Sequence, residues 1–270
     1  MSEGQSIESI SAPRTRASLA ADLRRLGVQP GEALLVHSSL SSLGWVCGGP
    51  VAVIQALQDV LTPDGTLVMP AHSGDLTDPA YWQHPPVPEA WWPVIRESMP
   101  AYDPALTPTR GMGRIAELFR TWTGVVRSDH PDDSSAAWGQ RAAFVTASHS
   151  LERSLGEASP LARLVDLEAR VLLLGVAFDS CTAFHLAEER SGRFDFILQG
   201  APLLVDGRRV WKTFRNVDYQ SDDFDACGRA FEATGAVLQG TVGSAESRLF
   251  AIRAGVDFAT AWLAEHRPPT

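Results

Sequence analysis

Val171 to Val176 is apolar without interruption, and Ala33 to His37 and Thr66 to Met69 are short runs of largely apolar residues. Such runs predict strands buried on both faces. Between and around them the pattern changes to helical spacing. Arg14 to Leu26 places leucines and alanines at intervals of three and four, with Gly27 just past the end as a cap. Pro50 to Leu61 repeats the pattern and Pro50 suits a first helical position; Arg110 to Trp122 and Ala251 to Arg267 also read as helices. Strand, loop and helix in repetition predict an α/β fold, a single domain over 1–270 with a central, mostly parallel or mixed sheet flanked by helices. Two regions depart from it. Tyr81 to Pro108 is dense in proline and tryptophan and reads as a long irregular insertion, ordered by its aromatics. Asp195 to Val205 and Val210 to Phe214, separated by Asp206 and Gly207, predict an antiparallel hairpin near the C-terminal part. Val125 to Arg127 leads into a polar loop, Ala142 to Thr146 fits helix or strand, and residues 1–12 are expected to lack fixed structure.

Composition narrows the function classes. With 23 basic and 32 acidic residues the net charge is −9, which argues against nucleic acid and favours a cationic small molecule. Cys47, Cys181 and Cys227 form neither a CxxC pair nor an even disulfide framework. No apolar stretch reaches the roughly 20 residues a membrane span needs, and the N-terminal residues have no signal-peptide core. A cytoplasmic location and a monomer or homodimer are expected.

The titratable residues concentrate after the third apolar run, in VLLLGVAFDSCTAFHLAEER at Val171 to Arg190. Ligands of open α/β sheets bind at the carboxyl ends of strands. His185 and Glu188 are three apart, so a helix puts them on one face, and Asp179 precedes them. A carboxylate beside an imidazole holds its tautomer and raises its basicity, as a general base requires. An HxxE metal pair is the rival reading, with no third ligand evident. Cys181 is a candidate nucleophile, although a buried cysteine is more often a small hydrophobe. The loop RSDHPDDSS, carrying Arg127, Ser128, His130, Ser134 and Ser135, is either a polar turn or a phosphate site. The same alternatives hold for Ser38, Ser39, Ser41 and Ser42. Neither loop has a P-loop or dinucleotide fingerprint, and no serine lies in GxSxG. Asp218, Asp222, Asp223 and Asp225, with Asp75, Asp78 and Glu188, are either a solvated face or carboxylates lining a polyamine pocket.

Six blocks in order resemble the aminoglycoside 3-N-acetyltransferase family over nearly the whole chain. They are LLVHSSLSSLG at Leu34 to Gly44, GTLVMPAHSGDLTDP at Gly65 to Pro79, TPTRGMGRIAELFR at Thr107 to Arg120, RSDHPDDSSAAWG at Arg127 to Gly139, SPLARL at Ser159 to Leu164 and VLLLGVAFDSCTAFHLAE at Val171 to Glu188. The resemblance implies acetyl transfer from acetyl-CoA, without a metal, to the 3-amino group of a 2-deoxystreptamine antibiotic. It implies that Ser38, Ser39, Leu40, Gly44, Met112, Gly113 and the loop with Arg127, Ser128, His130 and Ser134 hold coenzyme A. It makes His185 the catalytic base, oriented by Glu188 or Asp179, and assigns acidic substrate contacts to Asp75, Glu188, Asp218 and Asp223. Direct attack on the thioester would leave Cys181 dispensable, with backbone amides of the HSSLSSLG loop as candidates for the oxyanion. The alternatives are acetylation of a different, non-antibiotic amine, a non-enzymatic acyl-CoA or polyamine binder, and a metal hydrolase.

Overall fold

The computed structural model describes residues 3–8 and 10–269. Within the first dozen residues, expected to lack fixed structure, it places a short helix α1 (Glu3–Glu8). Helix α2 (Arg16–Leu26) starts at a capping box, in which the Thr15 hydroxyl accepts from the Ser18 amide and Ser18 answers with its own hydroxyl; it stops at left-handed Gly27. Strand β1 (Ala33–Ser38) follows, then a 3₁₀ turn (Leu40–Leu43), helix α3 (Gly49–Leu61) with Pro50 in its first turn, and strand β2 (Thr66–Pro70). The proline-rich insertion contains α4 (Trp92–Ser98). Next come α5 (Gly113–Phe119), β3 (Val126–Arg127), β4 (Ser135–Gly139), α6 (Ala142–Thr146) and α7 (Pro160–Asp166). The third apolar run is β5 (Arg170–Leu174), followed by α8 (Ala183–Ser191). The hairpin is β6 (Phe196–Val205) and β7 (Arg208–Val217); α9 (Phe224–Glu232), β8 (Leu238–Val242), β9 (Ala245–Ala251) and α10 (Ile252–His266) complete the order.

Seven strands form one mixed sheet in the order β3-β4-β2-β1-β5-β9-β8, and β6 and β7 pair separately. The three apolar runs are its parallel centre: β1 pairs with β2 on one side and β5 on the other. Their burial on two faces explains the apolar character. Leu34, Val36, Leu172 and Leu174 face the core under α2, α3 and α5, while Leu35, Val171 and Leu173 face the core under α6 to α10. A third, smaller core of Leu76, Met99 and Tyr102 with Trp82 and Trp211 fastens the insertion to the hairpin. The Tyr102 amide donates to Pro202 O and the Gln199 side chain accepts from the Asp78 amide.

Several elements differ from the sequence pattern for local reasons. The run ending at Val176 leaves the sheet at Leu174, because Gly175 turns at φ +71°. A Cβ there would lie 2.6 Å from Ser42 Cβ, so the close approach of the Ser42 loop requires glycine. The helix expected over 110–122 is confined to Gly113–Phe119, since Gly111 and Gly113 also take positive φ. Part of the polar loop after Arg127 is strand β4, with Ala136 and Ala137 packed on β2. Its small side chains give no strand signal. Ala142–Thr146 is a helix. Strands β8 and β9 pair antiparallel beside β5 and have no counterpart in the sequence reading. Among the described residues no helix is long and apolar enough to cross a membrane.

Candidate active site

The parallel centre of the sheet directs β1, β2 and β5 to end side by side, and a cleft of about 910 Å³ opens at those carboxyl ends. One wall is the Ser38–Ser41 segment with Gly44 to Val46 and Gly48–Gly49; another is the Gly111–Arg114 turn that begins α5; the floor carries His37, His72 and His185.

His185 lies in the first turn of α8. Its Nδ1 is 2.8 Å from Glu188 Oε2, the contact that a three-residue helical spacing predicts. A carboxylate accepts, so Nδ1 carries the hydrogen, and in the neutral ring the lone pair is on Nε2. Glu188 has no exposed surface, and its other oxygen accepts from Arg267 (2.5 Å) and from the Gln220 amide (3.1 Å). The imidazole is held from the sides by Tyr219 and Phe224, with ring centroids at 5.0 and 4.8 Å. Tyr219 is itself fixed: its hydroxyl donates to Glu189 and accepts from the Leu155 amide, and burial with Glu189 alongside pushes the phenol pKa up, so it stays a donor. Asp179 also lines the cleft, yet it does not orient His185. Its carboxylate accepts from the Ser180 hydroxyl, and its amide donates to Asp225. The carboxylate bonded to the imidazole is Glu188.

Two further histidines of the floor were not singled out from the sequence. His37 ends β1 and is 5% exposed, with Nε2 3.4 Å from the Thr182 hydroxyl. Burial, with His72 and His185 nearby, drives its pKa down to about 3. His72 follows β2, and burial lowers its pKa against the opposing pull of Asp133. Both are neutral imidazoles near pH 7. Their position at the ends of two apolar runs was the available signal, obscured by the serine-rich sequence around His37.

Of the residues expected to hold coenzyme A, Ser38, Ser39, Leu40, Gly44, Met112 and Gly113 line the cleft. Arg127, Ser128, His130 and Ser134 do not; all four are buried and their polar atoms are used within the protein. Arg127 donates to Ala71 O, Thr107 O and the Ser134 hydroxyl; His130 Nδ1 accepts from the amides of Asp132 and Asp133; Ser128 bonds His149. They brace the end of β2 from behind. The cation on the cleft wall is instead Arg114, which the sequence reading passed over. Among the loop amides considered for an oxyanion, those of Ser39 and Ser42 already donate to Leu174 O and Ser39 O. Leu40 and Ser41 open the 3₁₀ turn, where amides have no acceptor within the turn.

The expected substrate carboxylates do not converge. Asp75 is 57% exposed and paired with Arg110, Asp218 is exposed at the end of the hairpin, and Asp223 is engaged by Arg267. Glu188 is sealed behind His185. Cys181 is buried and its thiol is pushed up to about 12, which removes it as a nucleophile. Among the described residues no group of three histidine, cysteine or acidic side chains is placed to hold a metal ion.

The family model for aminoglycoside 3-N-acetyltransferases matches residues 35–264. The SPbeta prophage-derived aminoglycoside N(3')-acetyltransferase-like protein YokD of Bacillus subtilis is 52% identical over 95% of both chains, and its crystal structure superposes with a TM-score of 0.94 over 96% of each. Aminoglycoside N(3)-acetyltransferase VII of Streptomyces paromomycinus is 40% identical over 94% of this chain and 92% of its own. A binary structure of AAC-IIIb with CoASH is 33% identical and has a TM-score of 0.83, covering 96% of this chain and 99% of that one. With such likeness over more than nine-tenths of its length, the chain belongs to the aminoglycoside 3-N-acetyltransferase family and is an acetyl-CoA-dependent N-acetyltransferase.

Proposed function

We propose that this enzyme moves the acetyl group of acetyl-CoA onto an amino group of a 2-deoxystreptamine aminoglycoside, at the 3-position, with His185 as general base. The observation that carries the mechanism is the imidazole of His185, held through Nδ1 by a fully buried carboxylate and placed on the cleft floor. The acceptor arrives as an ammonium ion and must lose a proton before its nitrogen has a lone pair. Nε2 of His185 takes that proton, and the amine so freed attacks the thioester carbonyl. The N–C bond forms, the C–S bond breaks, and the nitrogen's second proton passes to the departing thiolate to give free coenzyme A. Base catalysis of this kind contributes typically 10²–10⁴-fold; holding donor and acceptor together in one cleft supplies more. The Ser38–Leu40 segment and the Met112–Gly113 turn would lie along the pantetheine arm, with Arg114 as the cation available to its phosphates. An aminoglycoside acceptor is supported by the family and by a related structure, AAC-VIa bound to sisomicin, which is 32% identical with a TM-score of 0.86 over 95% of this chain and 99% of that one. Asp179, with Asp225 beside it, is the acidic group that would meet such a polycation.

A second reading, acetylation of a non-antibiotic amine, is favoured by one observation. Asp179 is the only carboxylate among the described residues that line the cleft, whereas a polyamine needs several. Thiol release from acetyl-CoA, followed with sisomicin, kanamycin, neomycin and unrelated mono- and diamines, decides between the two. Turnover confined to the antibiotics, with the product acetylated at the 3-amino group by NMR, supports the first; turnover only with other amines establishes the second. His185→Ala should lower kcat by roughly 10²–10⁴-fold with little change in KM for acetyl-CoA. An unaltered kcat would remove the histidine from the mechanism.

A further inference from the structure

The guanidinium that reaches Glu188 comes from beyond the span that the family model matches. Arg267 follows α10, beyond residue 264 where the match stops. One of its terminal nitrogens donates to Glu188 Oε1 at 2.5 Å, and two more donors form a two-pronged pair with Asp223 at 2.7 Å each. The same group donates to Gln220 O at 2.8 Å and lies 5.9 Å from the centroid of Phe224, the ring on which His185 rests. Gln220 in turn donates its amide to Glu188 Oε1. Glu188 and Phe224, which touch the imidazole, and Gln220, whose amide donates to Glu188, are thus all tied to one side chain.

We propose that Arg267 is a positioning residue of the acetyl transfer, fixing the Glu188 carboxylate in the rotamer that holds His185 and sharing its charge with the imidazole; this rests on His185 being the base. A carboxylate with no exposed surface is costly to bury unless its charge is met and its lone pairs are filled. Arg267 does both through Oε1 and leaves Oε2 for His185. Although burial opposes it, the hydrogen bonds that Arg267 donates to Asp223 and Glu188 raise its pKa, so the guanidinium keeps its charge throughout the working range. Without that cation the whole charge of Glu188 acts on His185, which then holds its proton more tightly and is a free base only at higher pH. The other titratable groups around His185 are His37 at the end of β1, His72 after β2, Asp179 after β5, and Tyr219, backed by Glu189, after β7. The hydrogen bonds of Arg267 to His185's surroundings run to Glu188 and the Gln220–Asp223 turn.

The test needs no knowledge of the natural acceptor. ¹⁵N-histidine spectra of the full chain, titrated with pH, report the His185 midpoint and tautomer, with His185→Gln identifying the resonance. Arg267→Gln removes the charge while keeping donors; Arg267→Lys restores the charge. Arg267→Gln should raise the midpoint by about one pH unit, and Arg267→Lys should leave it at the wild-type value. With acetyl-CoA and sisomicin as probes, kcat of Arg267→Gln should fall roughly 10- to 100-fold while KM for acetyl-CoA stays within about two-fold. A wild-type midpoint in Arg267→Gln overturns the inference and leaves the base reading standing. Wild-type turnover in His185→Gln overturns the base reading instead. Should Arg267→Gln not fold, Asp223→Asn decides, since it unties the guanidinium without removing its charge: a several-fold lower kcat with KM for acetyl-CoA within about two-fold supports the inference, and wild-type kcat at an unmoved midpoint sinks it.

Discussion

His185 and Cys181 lie four residues apart, and their surroundings give them opposite chemistry. The imidazole is 15% exposed, faces the cleft and is backed by a carboxylate; the thiol is buried with its pKa pushed up to about 12 by desolvation. Replacing Glu188 by glutamine keeps the shape but offers Nδ1 either an acceptor or a donor, so the tautomer is no longer imposed. We expect kcat of Glu188→Gln to drop on the order of 10²–10⁴-fold with folding retained, measured by thiol release beside a circular dichroism melt. Cys181→Ala should leave kcat and KM within about two-fold. The same contrast extends to the other thiols. Cys47 is exposed, while Cys227 is buried. In the native protein Ellman's reagent should therefore titrate Cys47 quickly and the other two only after denaturation; rapid reaction of all three thiols would contradict the buried placement.

Helix α9 shows how an element outside the cleft lining sets the geometry within it. Its glycine, Gly228, sits mid-helix, where glycine is usually a weakness. Here a Cβ would fall 2.0 Å from Phe178 Cγ and 2.4 Å from Phe178 Cβ, so only glycine lets α9 pack on the turn after β5. That packing carries Phe224 onto the ring of His185. Gly228→Ala should cost roughly 1–3 kcal/mol in urea unfolding and lower kcat as well; an unchanged midpoint would show that α9 shifts freely. The turn residues of the hairpin and the Gly27 cap of α2 were legible because local chemistry decides them. The role of Gly228 was not, since it depends on a ring fifty positions earlier in the chain.

For the molecule as a whole, the buried histidines set the response to acid. His37 and His149 have pKa values lowered to about 3, in each case mainly by burial, and burial lowers His72 and His130 too. The unfolded chain binds these protons near pH 6.5, whereas the folded protein refuses them. Above that pH they contribute nothing to the pH dependence. As pH falls from about 6.5 toward 3, the unfolded state is favoured by roughly 1.4 kcal/mol per pH unit for each histidine held neutral. Urea unfolding at pH 7.5, 6.5, 5.5 and 4.5 should show a nearly constant midpoint over the first step and then a steepening decline. A flat stability profile down to pH 4.5 would mean that these imidazoles are protonated in the folded state.

The three central strands, the long helices α2, α3 and α10, the hairpin and the placement of His185 and Glu188 on one helix face were readable from the chain alone. Each depends on the period of apolar residues or on a helical spacing of three, and both are properties of neighbours in sequence. Tertiary structure alone decided which polar residues reach the cleft. Arg127 and His130 have the composition of an anion site, yet the backbone carbonyls and amides around them consume their hydrogen bonds. His37 and His72, by contrast, are brought to His185 because β1, β2 and β5 are neighbours in the sheet. The reach of Arg267 across 79 positions to Glu188 is of the same kind. A side chain's partners are set by what the folded chain places beside it, and no local pattern encodes a contact between residues so far apart.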